Sequence, residues 1–309
     1  MTRNGAASHK PRRKPGMKRV IAGLILLALS AMCGTTPFLL MLANGQADQT
    51  TASRHAQQVE QTDETAVRQE LADAQNYNQT LYEDGQQVIG EAVDPWGGGE
   101  DSLSSQDENY QQQLDLPDDG IMATIEYPRL GINLPIRHGT GEQTLIEGAG
   151  HLYGSSLPVG GRNTHSIISA HTGLADRLMF DKLSLRQGRV GDVFYIHVLG
   201  ETLAYKVTSI QVIDPDDFTQ FAIHTGKDEV SLLTCTPYGV NNKRLLVTSE
   251  RATMPNPAPL PKDAPQDHTN IILITWITGV WLAVILFTLT YLGIIKRRKG
   301  KKHHAHHAA

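Results

Sequence analysis

Two long apolar runs, Val20–Ala43 and Ile271–Ile295, stand apart from the rest of the chain. Each is long enough to cross a bilayer as a helix, which takes roughly 20 mostly apolar residues. Between them the pattern changes twice. Residues 51–84 are polar and rich in Ala, Gln and Glu, with Val59, Val67 and Leu71 at loosely helical spacing. That spacing predicts one or two solvent-exposed helices. From Ile121 onward the period shortens to β-type runs separated by turn residues, which predicts strands near 121–127, 132–136, 166–170, 191–199, 202–213, 229–235 and 244–250. Gly200-Glu201 predicts a tight hairpin, and Asp176 to Leu185 a short helix or turn. Many short strands without a repeat predict a small closed β-barrel, which leaves no exposed edge.

Charge sharpens this picture into a topology. Lys and Arg crowd residues 3–19 and 296–302, immediately outside the two apolar runs. The flanks on the inner side are nearly free of both. The positive-inside rule then places 1–19 and 296–309 in the cytoplasm as basic tails, 20–43 and 271–295 in the membrane, and 44–270 outside. A cleaved signal segment is the rival reading of the first run, because Gly45-Gln46-Ala47 offers small residues at a suitable place. Within the outer part, 44–84 is expected to be helical, 85–120 a loop and linker, 121–252 the barrel, and 253–270 a Pro-rich spacer. The net charge of −4 gives no electrostatic case for nucleic-acid binding.

The chain has two cysteines, and Cys33 lies in the first apolar run. Cys235 is therefore a single thiol outside the membrane, which is either a packed residue or a nucleophile. It ends the run Val230-Ser231-Leu232-Leu233-Thr234, just before Thr236-Pro237-Tyr238-Gly239, and Arg244 starts the next apolar run. A hairpin brings Arg244 back beside the thiol. His171 ends another run, Ser166-Ile167-Ile168-Ser169-Ala170, before Thr172-Gly173. Strand ends of this kind place side chains at a barrel rim, where they meet solvent and substrate. His138, His151 and His165 compete with His171 for any proton-transfer role. There is no HExxH and no CxxC, so no metal or cofactor is expected.

The chemistry these residues permit is acyl transfer. A thiolate attacks a carbonyl, an imidazole moves protons, and a guanidinium, which stays protonated, stabilises the oxyanion. One such donor is worth roughly 10²–10³ in rate.

The run Leu232-Leu233-Thr234-Cys235-Thr236-Pro237-Tyr238-Gly239, with Arg244 after it, resembles the active-site strand of sortases, and specifically of the class C, pilin-polymerising group. Gly148-Ala149-Gly150-His151-Leu152, Ser156-Leu157-Pro158-Val159-Gly160-Gly161 and His171-Thr172-Gly173-Leu174 resemble the same group in the same order. The similarity covers about residues 75–252. It implies a sortase-type β-barrel with N-terminal helices, and assigns Cys235 as nucleophile, His171 as acid/base and Arg244 as substrate or oxyanion donor. It also implies a lid: Asp94-Pro95-Trp96, followed by Gly97-Gly98-Gly99, matches the group's Asp-Pro-aromatic tripeptide. Trp96 would then cover the thiol and Asp94 would pair with Arg244. Thr172 stands where many class C members have Arg, which puts substrate contacts at that position in question.

The resemblance implies a membrane-anchored transpeptidase. It would cleave a sorting motif of the Leu-Pro-x-Thr-Gly type between Thr and Gly, and pass the acyl group to a lysine amine of a pilin subunit. The alternatives are a hydrolytic cysteine peptidase, with water as acceptor, and a non-catalytic membrane-tethered assembly scaffold. Papain-like enzymes place Cys before His at a helix start; this chain places His before Cys, on strands.

Overall fold

A computed structural model describes residues 17–86, 103–252 and 259–306, with side chains described as far as 297. Contacts divide the chain into two compact units, one made of the segments up to Leu39 and from Ile271, the other of Leu40–Asn270. In the first unit the helices α1 (Met17–Gln61) and α7 (Thr269–His306) carry the two apolar runs, and both are long and apolar enough to cross a membrane.

In the second unit α1 continues without a break through Gly45, where the charge pattern suggested that the membrane segment ends, and stops at Gln61. A second helix, α2 (Glu64–Glu83), follows after two residues. Asp63 caps it, its Oδ1 accepting from the amides of Thr65 at 2.8 Å and Ala66 at 3.2 Å. Such a cap satisfies donors that the first helical turn leaves unpaired. Two short helices, α3 (Leu103–Gln106) and α4 (Glu108–Gln111), lead to the barrel. The described part of the expected linker thus holds two short helices. Tyr110 and Leu114 are fully buried in the main core.

Eight strands close the barrel. They are β1 (Ala123–Tyr127), β2 (Ile132–His138), β3 (Ala149–His151), β4 (Thr164–Ser169), β5 (Val193–Val198), β6 (Glu201–Ile213), β7 (Asp228–Thr236) and β8 (Lys243–Arg251). Around the barrel they run β1-β2-β3-β4-β7-β8-β6-β5, with β5 pairing back to β1. Helix α5 (Glu142–Glu147) precedes β3, and α6 (Asp181–Ser184) lies between β4 and β5. Seven of the strands match runs predicted from the pattern. Strand β3 escapes the pattern because it has three residues, two of them Ala149 and Gly150. The β5–β6 hairpin turns at Leu199-Gly200, one residue earlier than expected, with both residues at positive φ (48° and 81°). Such a two-residue turn matches the right-handed twist of the strands it joins.

Alternation along the strands builds two apolar layers. Ile125 and Tyr127, Phe194 and Ile196, Leu203 and Tyr205, Val230 and Leu232, and Leu245 and Val247 fill the main core. Burying one such side chain stabilises the fold by roughly 1.5–3 kcal/mol. The neighbouring positions Ile167, Leu233 and Leu246 point the other way and form a smaller cluster with Leu152, Ile213 and Phe221. Strands β4, β7 and β8 are therefore apolar on both faces at their centres, which explains the adjacent apolar residues Ile167-Ile168, Leu232-Leu233 and Leu245-Leu246-Val247. The Pro-rich segment after β8 is also held to the barrel: Asp267 donates its amide to the Pro128 carbonyl at 2.9 Å and pairs with Lys182 at 2.6 Å.

Candidate active site

Strands β4 and β7 are parallel neighbours, with Ser169 opposite Leu233. Strands β7 and β8 are antiparallel, with Cys235 directly opposite Arg244. The ladder continues past Ser169, since the Ala170 amide donates to the Leu233 carbonyl at 3.2 Å. The Thr234 hydroxyl donates to the Ala170 carbonyl at 2.8 Å. These bonds fix the two strand ends that carry His171 and Cys235. The side-chain period of two puts Cys235 on the face of Leu233, and Arg244 on the face of Leu246. The site therefore sits on the smaller apolar cluster, on the outer face of the barrel wall.

One small cavity is lined by Cys235, His171 and Arg244 together, with Thr140, Leu145, Leu152 and Leu233. Cys235 is 8% exposed and Arg244 7%. Cys235 is in no disulfide. Arg244 is held by long contacts from Nη1 to the carbonyls of Asn241 and Lys243, both 3.3 Å, and pairs with no described carboxylate. The His171 ring is half-buried, and burial pushes its pKa below the usual imidazole value while nearby Glu142 pulls it up. It is therefore mainly neutral at pH 7. Among the described residues no hydrogen bond engages its ring nitrogens.

The other three histidines are engaged. His151 is fully buried; its Nε2 donates to the Ser156 carbonyl at 2.8 Å and its Nδ1 takes the Tyr110 hydroxyl at 2.9 Å. Burial pushes its pKa down to about 4. His138 donates from Nε2 to the Gln113 carbonyl at 2.8 Å. His165 donates from Nδ1 to the Ala222 carbonyl at 2.9 Å and meets the Ser231 hydroxyl with Nε2 at 2.8 Å. His165, His224 and Glu229 lie close enough to hold a metal ion. Both ring nitrogens of His165 are already engaged, and both Glu229 oxygens meet His224 or Lys227. That cluster is a hydrogen-bonded structural network at the end of β7 remote from Cys235.

Asp94, Pro95 and Trp96 lie outside the described residues. Thr172 is buried, and its hydroxyl has no hydrogen-bond partner among the described residues. It thus sits within the fold and does not present its side chain to solvent. Glu142 and Thr140 are additions the sequence did not signal, because they reach the site through tertiary packing of the segment between β2 and β3.

The sortase domain family matches residues 125–252, which span β1 to β8. The crystal structure of sortase C-1 from Actinomyces oris is 44% identical, with a TM-score of 0.55; the match covers 62% of this chain and 99% of that one. The chain belongs to the sortase family. This sortase is also similar to sortase C of Streptococcus pneumoniae, at 35% identity and TM-score 0.57, covering 68% of this chain and all of that one. Its structural neighbours are class C sortases. Among curated relatives, sortase A of Bacillus anthracis is 26% identical over 130 residues, 42% of this chain and 59% of that protein. The chain thus spans about three-fifths of the length of that relative. Sortases are a cysteine transpeptidase family.

Proposed function

We propose that this chain is a membrane-anchored pilin-polymerising transpeptidase with Cys235 as nucleophile, His171 as acid/base and Arg244 as oxyanion or substrate donor. The observation that carries this is the single cavity lined by all three residues. The substrate is a Leu-Pro-x-Thr-Gly-like motif. Cys235 attacks the Thr carbonyl, its proton passing to the neutral His171 ring. Arg244 stabilises the negative oxygen that forms. His171 then protonates the departing Gly amine, which leaves a thioester on Cys235. A pilin lysine amine attacks the thioester, His171 takes its proton, and Cys235 is released as an amide bond forms. The Streptococcus pneumoniae relative is a sortase C studied for pilin substrate specificity, which supports the same substrate class here.

The two apolar helices support anchoring in the cell membrane. The basic runs outside them support cytoplasmic ends and an extracellular barrel. The tripeptide Asp94-Pro95-Trp96, with its three following glycines, supports a lid over the thiol. The chain before it is anchored: Gln86 donates to the carbonyls of Gly154 at 3.1 Å and Phe221 at 3.2 Å.

Incubation with a sorting-motif peptide and a lysine-like amine tests the activity. A thioester trapped on the wild type and absent from Cys235→Ala is expected, with amide product exceeding acid product. Acid alone, whatever the amine concentration, would make it a hydrolase; no acyl-enzyme would leave an assembly scaffold. For the lid, Asp94→Ala with Trp96→Ala should speed alkylation of Cys235 by a thiol reagent, and an unchanged rate would remove these residues from the site.

A further inference from the structure

His171 follows β4 and Cys235 lies on β7, and the bonds between these two segments end at Ala170, whose amide donates to the Leu233 carbonyl and whose carbonyl accepts the Thr234 hydroxyl. Beyond Ala170 the chain leaves the sheet and returns at Phe180, whose amide donates to the His171 carbonyl at 3.1 Å. The imidazole is therefore carried at the mouth of a loop, and its position depends on what holds that loop.

Asp181 holds it from inside. It opens α6 and is only 2% exposed. Its Oδ1 accepts the Gly173 amide at 2.9 Å, and its Oδ2 accepts the Met179 amide at 2.8 Å. One carboxylate thus clamps both limbs of the loop, two residues after His171 and one before Phe180. Gly173 has φ +84°, a left-handed conformation that suits glycine and aims its amide inward. Helix α6 also packs against β7, the strand that carries Cys235. From the loop after β7, the Tyr238 hydroxyl faces the same carboxylate; burial and that negative charge raise the phenol's pKa. The carboxylate is bounded by the histidine loop on one side and the cysteine strand and its loop on the other.

We propose that Asp181 is a positioning residue that sets the His171 imidazole relative to the Cys235 thiol. This rests on the assignment of those two residues above. The chemistry calls for a carboxylate at this place. Both oxygens accept from backbone amides, and an Asn would turn an NH₂ toward an N–H and lose one limb of the clamp. Hydrogen bonds to an ionised acceptor are shorter and stronger than neutral ones, so the ion fixes the loop more firmly than an amide can. A misplacement of about 1 Å costs on the order of 10²-fold in rate.

The experiment uses the full chain in detergent, with wild type, Asp181→Asn, Tyr238→Phe, Cys235→Ala and His171→Ala. It measures kcat and KM for a sorting-motif peptide with an amine acceptor, and the pH profile of Cys235 alkylation by iodoacetamide. Asp181→Asn should lower kcat about 10–10²-fold with KM within about twofold, and should displace the alkylation profile, because that profile reports the thiol–imidazole pair. Fixed melting behaviour would confirm that the barrel is intact. A folded Asp181→Asn with wild-type kcat and a superimposable profile would overturn the proposal. Where Asp181→Asn does not fold, Tyr238→Phe decides: lowered kcat at constant KM supports the clamp, and wild-type values on both readouts overturn it. Retained turnover in Cys235→Ala or His171→Ala would instead break the assignment of the site, which separates the two failures.

Discussion

The parallel pair β4–β7 has two ends of opposite character. At the first end, His165 uses both ring nitrogens, Glu229 pairs with His224 at 2.6 Å, and Asp228 accepts the Tyr205 hydroxyl and the Gly161 amide, both at 2.9 Å. At the other end, Arg244 has two long backbone contacts and the His171 ring has no hydrogen bond to a described residue. Buried polar groups that only support a fold are hydrogen-bonded, because leaving one unpaired costs roughly 1–3 kcal/mol. A histidine that moves protons must keep a nitrogen open for substrate. Strand β4 thus carries one imidazole tied into the fold, His165, and leads to another, His171, whose ring nitrogens no described residue engages.

The largest test of that contrast exchanges the two effects. His171→Ala and Arg244→Ala should each cut turnover by at least ~10²-fold while the melting temperature barely moves. Arg244→Lys should remain impaired, since an ammonium lacks the planar fork of the guanidinium. His165→Ala should do the reverse, removing a buried partner of Ser231 and Ala222 and lowering stability with kcat preserved in the folded fraction. Turnover measured beside thermal melts would break the comparison if His165→Ala proved the catalytically worse variant.

A smaller effect concerns acid. The folded pKa of His151 is about 4, below its ordinary value of 6.5, so the unfolded chain binds more protons between the two. The contribution of a neutral buried His151 is complete above pH 6.5 and is lost as the pH falls toward 4, up to about 3 kcal/mol. Denaturant melts of wild type and His151→Gln should therefore show a difference in pH slope confined to that window. Parallel slopes would mean that His151 is not held neutral by the fold. The smallest effect is on His171 itself. Glu142 raises its pKa against the larger influence of burial. Glu142→Gln should move the His171 titration, followed by NMR, further down.

Much of this was legible in the chain. The barrel strands were written in alternation, as in β6, and in doubly apolar runs, as in β4 and β7. The pairing of Cys235 with Arg244 followed from a hairpin between two strong strands, a local contact across a short loop. Strand β3 was not legible, because three residues, Ala149, Gly150 and His151, are too few to carry a period and pair only with their neighbours β2 and β4. The packed segment around Tyr110 read as a linker, because its order comes from burial against β3 and from the bond to His151.

The sequence by itself determined the closed β-barrel, the two apolar helices and the short list of groups able to perform acyl transfer. Periodicity, length and residue chemistry are local properties, and they need no knowledge of what lies across the fold. Which of the four histidines are tied up in hydrogen bonds was a matter for the tertiary structure. His138, His151 and His165 are bound to Gln113, to Tyr110 and Ser156, and to Ala222 and Ser231, partners whose approach no spacing along the chain announces. Asp181 is the extreme case. In sequence it is one acidic residue at the start of a four-residue helix, and only the return of the loop to Phe180 brings the Gly173 and Met179 amides to one carboxylate.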